Sequence, residues 1–258
     1  GHCDMTERVA DLFDRVDSPA ERAPDQNYLD PGLEFVVDLT VDVDRPVLSD
    51  APSLLVAPKW KTTTKRILDV IVAAVALIVL SPVFLATALA VKLSSPGPVF
   101  FVQPRMGRAG KEFSFYKFRS MRIDAEEQRD GLRGLNERSG PVFKIKDDPR
   151  MTPIGVWLRR TSIDELPQLW HVIRGQMTLV GPRPLPTEEA LDCSEWEAQR
   201  FLVKPGITCI WQVSGRSELD FETWVSMDIE YIENWSLWLD IKLLLRTIPA
   251  VLSGKGAY

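Results

Sequence analysis

The stretch VIVAAVALIVLSPVFLATALAV, Val70–Val91, runs for 22 residues without a charge. As a helix at 1.5 Å per residue it would be about 33 Å long, against a hydrocarbon core of about 30 Å. It therefore reads as a membrane segment. A secretory signal would sit at the N-terminus with a shorter apolar region, whereas this run begins well inside the chain and has no evident cleavage pattern.

The flanks and the middle of the run bear on its topology. Lys59, Lys61, Lys65 and Arg66 precede it, and residues 92–122 hold Lys92, Arg105, Arg108, Lys111, Lys117, Arg119 and Arg122 against Glu112 alone. Positive charge on both sides asks for both ends on the cytoplasmic face. Ser81-Pro82 falls at the midpoint, where proline removes a backbone hydrogen bond and a neighbouring serine can satisfy the freed carbonyl. Both cues fit a re-entrant helical hairpin. An ordinary span with a tolerated proline fits the same residues, and the physical cues leave both open.

Outward from this segment the 258-residue chain divides by charge. Residues 1–60 carry 5 basic and 13 acidic residues, and residues 61–258 carry 26 and 23, so the net charge of -5 belongs to the N-terminal part. Gly1–Asp4 ahead of Met5 reads as an appended leader, which sets His2 and Cys3 aside. The rest, to about Pro58, is acidic and dotted with proline, and reads as an extended arm with one short helix near Arg8–Val16. Three cysteines (Cys3, Cys193, Cys209) without a C-x-x-C and two histidines (His2, His171) argue against a disulfide framework and a zinc site, and fit a reducing compartment.

Downstream, Pro98–Gln103 and Phe113–Phe118 read as short strands joined by a turn at Gly107–Lys111. Arg159–Arg174 reads as a loop entering a helix that stops at Gly175, and helical patterns cover Phe221–Asn234 and Leu237–Leu252. Trp211, Trp224, Trp235 and Trp238 suit either amphipathic helices lying in a membrane interface or a tryptophan-rich core.

The chemistry concentrates in Arg159–Trp170. Ser162 and Glu165 have the spacing of a capping box, and Pro167 suits a first helical turn, so Asp164 and Glu165 are expected at a helix N-terminus. Acids there can simply complement the helix dipole. Their company suggests more. Arg159 and Arg160 lie just upstream, and Gly181-Pro182-Arg183-Pro184 holds an arginine between two prolines, which restricts the backbone that aims its guanidinium. Arginines beside paired carboxylates make a site for a polyanionic substrate with Mg²⁺, since carboxylates near phosphates need an intervening cation. An aspartate can also be a nucleophile at phosphorus. There is no G-x-S-x-G, Walker A, G-x-G-x-x-G or H-E-x-x-H. The basic run 105–122 lies directly behind the membrane segment in an acidic chain, so anionic lipid is the expected partner and nucleic acid is not.

Taken in order, the motifs of residues 61–258 resemble the bacterial sugar transferases, the monotopic phosphoglycosyl transferases or polyprenyl glycosylphosphotransferases. They are Lys65-Arg66, Ser81-Pro82, Ser95-Pro96-Gly97-Pro98, Tyr116–Met121, Arg159–Leu169 with Asp164-Glu165, Gly181–Pro184 and Lys204–Thr208. Trp211–Arg216 and the ending Leu245–Tyr258 look most like the exopolysaccharide-priming type, while Cys209 stands where relatives often have glycine.

The resemblance implies an enzyme of the bacterial inner membrane, on its cytoplasmic face. It would transfer a hexose 1-phosphate, glucose or galactose, from a UDP-sugar to undecaprenyl phosphate in the first membrane step of exopolysaccharide or capsule synthesis. Asp164 would be the nucleophile, Glu165 the Mg²⁺ ligand, Arg159 and Arg183 the phosphate-holding residues, Lys65 and Arg66 the headgroup residues, and Ser81 and Pro82 the helix break. The expected architecture is mixed α/β and membrane-associated. It has an acidic arm (1–60), a re-entrant helix (61–95) and a cytosolic or interfacial catalytic domain (96–258) with a small β-element and interfacial amphipathic helices. A membrane-anchored interaction protein of polysaccharide assembly, with catalysis secondary or lost, is the alternative.

Overall fold

The computed structural model describes residues 52–137, 140–215 and 219–254. Most of the acidic arm, including the helix expected near Arg8–Val16, lies outside the described residues.

The apolar run forms two helices, α1 (Lys59–Val79) and α2 (Ser81–Ser94), bent by 62° at the break. Pro82 has no N–H to give to the carbonyl four residues back, Ile78 O, and the Ser81 hydroxyl donates to that carbonyl instead, at 2.8 Å. Neither helix alone is long and apolar enough to cross a membrane, whereas the bent pair together has the necessary length and composition. Large apolar side chains point outward along both arms, among them Ile71, Val75, Ile78, Leu85 and Leu89, while Asp69 and Ala73 face the protein. This inverts the usual placement in a surface helix.

The next pair of strands, β1 (Phe100–Met106) and β2 (Glu112–Phe118), forms an antiparallel hairpin in register from Phe100↔Phe118 to Met106↔Glu112. The first strand runs further than the sequence suggested, through Pro104, which a two-stranded sheet tolerates because each strand has a free edge. Phe113 and Phe115 are buried, and Lys117 occupies the same face two residues on.

Helix α3 (Pro153–Arg160) was not anticipated. Thr152 caps it, its hydroxyl accepting from Gly155 N–H at 3.0 Å, with proline at the first helical position. Gly155 lies so close to the chain at Ser120 that a Cβ there would sit 1.8 Å from Ser120 O. That approach carries Arg159 to Ser120, where its Nε donates to the hydroxyl at 3.1 Å.

The capping box at Ser162 does not form. Ser162 is left-handed (φ 56°) and its side chain makes no cap bond; Ile163–Glu165 is a single 3₁₀ turn, and α4 (Gln168–Arg174) starts only after Pro167. The physical reason is competition: the Glu165 carboxylate is taken by Arg183 and is not free to reach back to the Ser162 amide.

Two three-residue strands, β3 (Thr178–Val180) and β4 (Gly206–Thr208), pair in parallel. Between them lie α5 (Thr187–Leu191) and α6 (Glu195–Ala198), and after them α7 (Ile210–Ser214), α8 (Phe221–Glu233) and α9 (Leu237–Ser253). Trp211 and Trp224 stack in the core with ring centroids 4.2 Å apart, and Trp235 is buried too. Trp238 is 60% exposed and heads an outward apolar stripe on α9 with Ile241, Leu245, Ile248 and Leu252.

The basic pair before the apolar run turns inward. Lys65 Nζ donates to Asp240 Oδ2 at 2.6 Å and to Val180 O at 3.3 Å, and Arg66 donates to Val172 O at 2.6 Å and Ile173 O at 2.9 Å. Asp240 also accepts from Tyr231 Oη at 2.7 Å and Trp235 Nε1 at 3.2 Å. A buried network thus ties α1 to α8, α9 and the end of β3.

Candidate active site

The 3₁₀ turn at Ile163–Glu165, the face of β2, the end of α3 and the loop after β3 converge on one cavity of about 1250 Å³. It is lined by Lys117, Arg159, Asp164, Glu165 and Arg183, and also by Leu80 and Val83 at the helix break. Of the residues expected from sequence, Arg159, Asp164, Glu165 and Arg183 therefore come together. Lys65 and Arg66 do not line this cavity.

The two carboxylates differ in their surroundings. Glu165 is bridged by Arg183, whose Nη1 donates to Oε2 at 3.2 Å and whose Nη2 donates to Oε1. Burial opposes ionisation of Glu165, but the Arg183 charge and its hydrogen bonds outweigh burial and hold the carboxyl below its ordinary range. Asp164 is 6% exposed, and no donor among the described residues hydrogen-bonds its carboxylate. Burial and then the Glu165 charge push it up to about 6, with Arg159 and Lys117 opposing. One acid is fixed and fully engaged; its neighbour has free lone pairs.

Lys117, which the sequence places in the basic run expected to face anionic lipid, lines the cavity instead. Burial, then the charges of Arg159 and Arg105, push its ammonium down to about 7. The signal was available: in an alternating strand it shares the face of Phe113 and Phe115, and a basic residue in a core-facing register is unusual. Gln212 was also missed as a site residue. With its amide oriented to satisfy both neighbours, it accepts from Arg183 Nη1 at 2.8 Å and donates to Ile207 O at 3.1 Å. Arg183 is steadied from behind as well, since buried Arg200, paired with Asp228, donates to its carbonyl at 3.0 Å. Burial and then the Asp228 charge raise the Cys209 thiol well above its ordinary value.

Of the two adjacent carboxylates, Asp164 has free lone pairs while Glu165 is occupied by Arg183. Adjacent carboxylates line the cavity, and among the described residues no third His, Cys, Asp or Glu joins them as a metal-holding group. Mg²⁺ is commonly held by one or two carboxylates with water and substrate phosphates completing the sphere, and here one carboxylate, Asp164, is open to such a role.

The family model for bacterial sugar transferases matches residues 60–254. The chain belongs to the bacterial sugar transferase family. Its relatives within this family include the galactosyl transferase CpsE of Streptococcus agalactiae serotype III (strain NEM316), 45% identical over 194 residues, covering 75% of this chain and 43% of CpsE. The exopolysaccharide production protein ExoY of Rhizobium meliloti (strain 1021) is 41% identical over 199 residues, 75% of this chain and 88% of ExoY. The undecaprenyl-phosphate galactose phosphotransferase of Salmonella typhimurium (strain LT2) is 40% identical over 198 residues, 75% of this chain and 41% of that protein. The chain thus spans less than half the length of some bacterial sugar transferases it matches, and most of the length of ExoY.

Proposed function

We propose that this protein transfers a hexose 1-phosphate, glucose or galactose, from a UDP-sugar to undecaprenyl phosphate, as the first membrane step of exopolysaccharide or capsule synthesis, through a covalent intermediate on Asp164. The observation that carries the reading is the contrast between the carboxylates: Asp164 accepts no hydrogen bond in a cavity that reaches the bend of the apolar helix pair, while its neighbour is fixed by Arg183. Family membership and the names of the relatives support the substrate class.

In this reading Asp164 Oδ attacks the β-phosphorus, the bond to the oxygen bridging the α- and β-phosphates breaks, and UMP leaves with that oxygen. A phosphate oxygen of the polyprenyl acceptor then attacks the same phosphorus. The bond to Asp164 breaks, and the lipid diphosphosugar leaves the carboxylate as it began. Arg159 and Lys117 face the phosphates and hold developing negative charge on their oxygens. Bound Mg²⁺, with Glu165 as its ligand, would offset the charge of the diphosphate. Splitting the transfer into two steps keeps two anionic substrates from meeting at once.

The bent pair, in this reading, enters and leaves the same leaflet, with residues 61–95 as the membrane element and 96–258 as the catalytic domain on the cytoplasmic face. The outward apolar residues of α1, α2 and α9 support this. The free Asp164 in an open cavity also favours an enzyme over an interaction protein that has lost catalysis.

Intact-protein mass spectrometry tests the proposal. Purified protein with Mg²⁺ and a panel of UDP-sugars, without lipid acceptor, should gain one sugar phosphate, and Asp164→Asn should not. UMP release that requires polyprenyl phosphate, or full transfer by Asp164→Asn, would replace the covalent route with direct transfer.

A further inference from the structure

His171 lies on α4 with its imidazole fully buried, and both ring nitrogens are engaged. The Tyr116 N–H of β2 donates to Nε2 at 3.0 Å, and Nδ1 lies 2.9 Å from Gln176 Oε1. A backbone N–H can only donate, so Nε2 carries no proton; the ring proton sits on Nδ1 and is donated to Gln176. Gly175, left-handed at φ 80°, turns the chain at the end of α4, and the amides of Gln176 and Met177 both donate to the His171 carbonyl, at 3.0 Å and 3.2 Å. This turn brings Gln176 back to the ring it fixes.

Aromatic neighbours hold the ring on its other sides. It lies parallel to Phe115 and Tyr116, at centroid distances of 5.9 Å and 5.0 Å, with Phe113 edge-on at 5.4 Å. Burial pulls the imidazole below its ordinary value, the Gln176 bond opposes this and the Arg174 charge adds to it, so the neutral ring that accepts from Tyr116 is favoured. The three aromatic contacts would satisfy a packing role alone. The accepted hydrogen bond does more, because of what lies at its two ends. Helix α4 follows two residues after the 3₁₀ turn that carries Asp164 and Glu165, and Tyr116 immediately precedes Lys117. One imidazole therefore joins the element behind the carboxylates to the strand that brings Lys117 into the cavity.

We infer that His171 is a positioning residue whose Nε2, by holding the Tyr116 amide, sets the placement of Lys117 relative to Asp164. The inference rests on the part given to Lys117 in the proposed transfer. A group that stabilises charge on a reacting phosphate is sensitive to misplacement by about 1 Å, and release of the Tyr116 amide frees the strand by that order.

Two measurements on the full chain in detergent test it. The chain has two histidines, His2 and His171, so long-range spectra of protein labelled with nitrogen-15 histidine, with His2→Ala to identify the signals, read the ring directly. Near neutral pH His171 should show the Nδ1–H tautomer. The second measurement is a double-mutant cycle on kcat, corrected for the folded fraction. His171→Phe keeps an aromatic ring and removes the acceptor, whereas His171→Gln supplies an amide oxygen to accept from Tyr116 N–H. His171→Phe should lower kcat about tenfold, with the KM for the UDP-sugar changed by less than about twofold, and His171→Gln should keep most of the activity. In a Lys117→Met background, His171→Phe should cost less than about twofold more. If His171→Phe does not fold, Gln176→Leu takes its place in the cycle; it removes the acceptor of the Nδ1 proton and should also turn part of the tautomer signal to Nε2–H.

An Nε2–H tautomer or a charged ring in the wild type overturns the link. Equal losses with and without Lys117, or no rescue by His171→Gln, reduce His171 to a packing residue and overturn the positioning. An Nδ1–H ring in a chain that transfers no phosphosugar would instead overturn the proposed function, and with it the catalytic consequence of a link that stands.

Discussion

Arg183 closes on both carboxylate oxygens of Glu165, so the residue proposed to hold Mg²⁺ is already occupied by a cation of the protein itself. Gln212 takes a further Arg183 hydrogen, and Arg200 holds the Arg183 carbonyl. The metal and the guanidinium then compete for one carboxylate.

This competition predicts that Arg183→Ala binds Mg²⁺ more tightly than wild type while transferring less well. A charge-assisted pair of this kind is worth about 1.5–3 kcal/mol, so titration calorimetry without donor should show a gain of roughly tenfold or more. The kcat/KM for transfer should fall by about 10²-fold or more. Weaker Mg²⁺ binding by the variant would mean that the two cations act together.

The Ser81-Pro82 break predicts same-side access for both helix ends. In a Cys3→Ser background, cysteines at Thr63→Cys and Ser94→Cys should both be labelled from the cytoplasmic side by an impermeant maleimide. Adding Ser81→Leu and Pro82→Leu restores helix formers and should move part of the label at one end to the opposite side. Opposite-side labelling in the unaltered sequence would mean a true span.

Gly155 predicts a local steric failure. Gly155→Ala forces a methyl against the Ser120 carbonyl, which is backbone and has no rotamer to yield. Such overpacking costs about 1–3 kcal/mol. The thermal midpoint should drop, and because Arg159 is aligned through Ser120, kcat should fall further than the loss of folded protein explains.

Asp148 predicts an acid-sensitive wall of the cavity. Burial favours its neutral form, but the Arg150 hydrogen bonds at 2.9 Å and 2.6 Å outweigh burial and hold it below the ordinary carboxylate range. Its folded value lies below its unfolded one, so its stabilisation is present above about pH 4 and is lost as pH falls through the folded value. Asp148→Asn should therefore melt below wild type at pH 7, with the two midpoints converging in acid. A constant difference across that range would assign the effect to something other than this carboxylate's charge.

The elements set by local pattern were legible. The charge-free run with its central Ser81-Pro82 gave the bent pair, alternation around Phe113 and Phe115 gave the hairpin, and helical periodicity placed α8 and α9 to within a residue or so of their ends. What escaped depended on partners distant in sequence. The Ser162 and Glu165 spacing favours a cap, but Arg183 captures the glutamate. A charge count treats Lys65 and Arg66 as facing water or lipid, whereas Asp240 and the α4 carbonyls draw them inward. The parallel pair β3 and β4 has three residues per strand, too few to show a period. Asp164 and Glu165 could be named as a pair from sequence, but their unequal environments belong to the folded arrangement.

The Lys65–Asp240 hydrogen bond joins residues 175 positions apart. During synthesis at about 5–20 residues per second, Lys65 and Asp69 emerge many seconds before Asp240 exists to receive them. Until then α1 has its amino groups and carboxylate without their interior partners, and no early folding event can complete the network. The earliest of the described helices to be made thus completes its buried network only when α9 arrives. A chain cut short of α9 leaves Lys65 without its Asp240 partner.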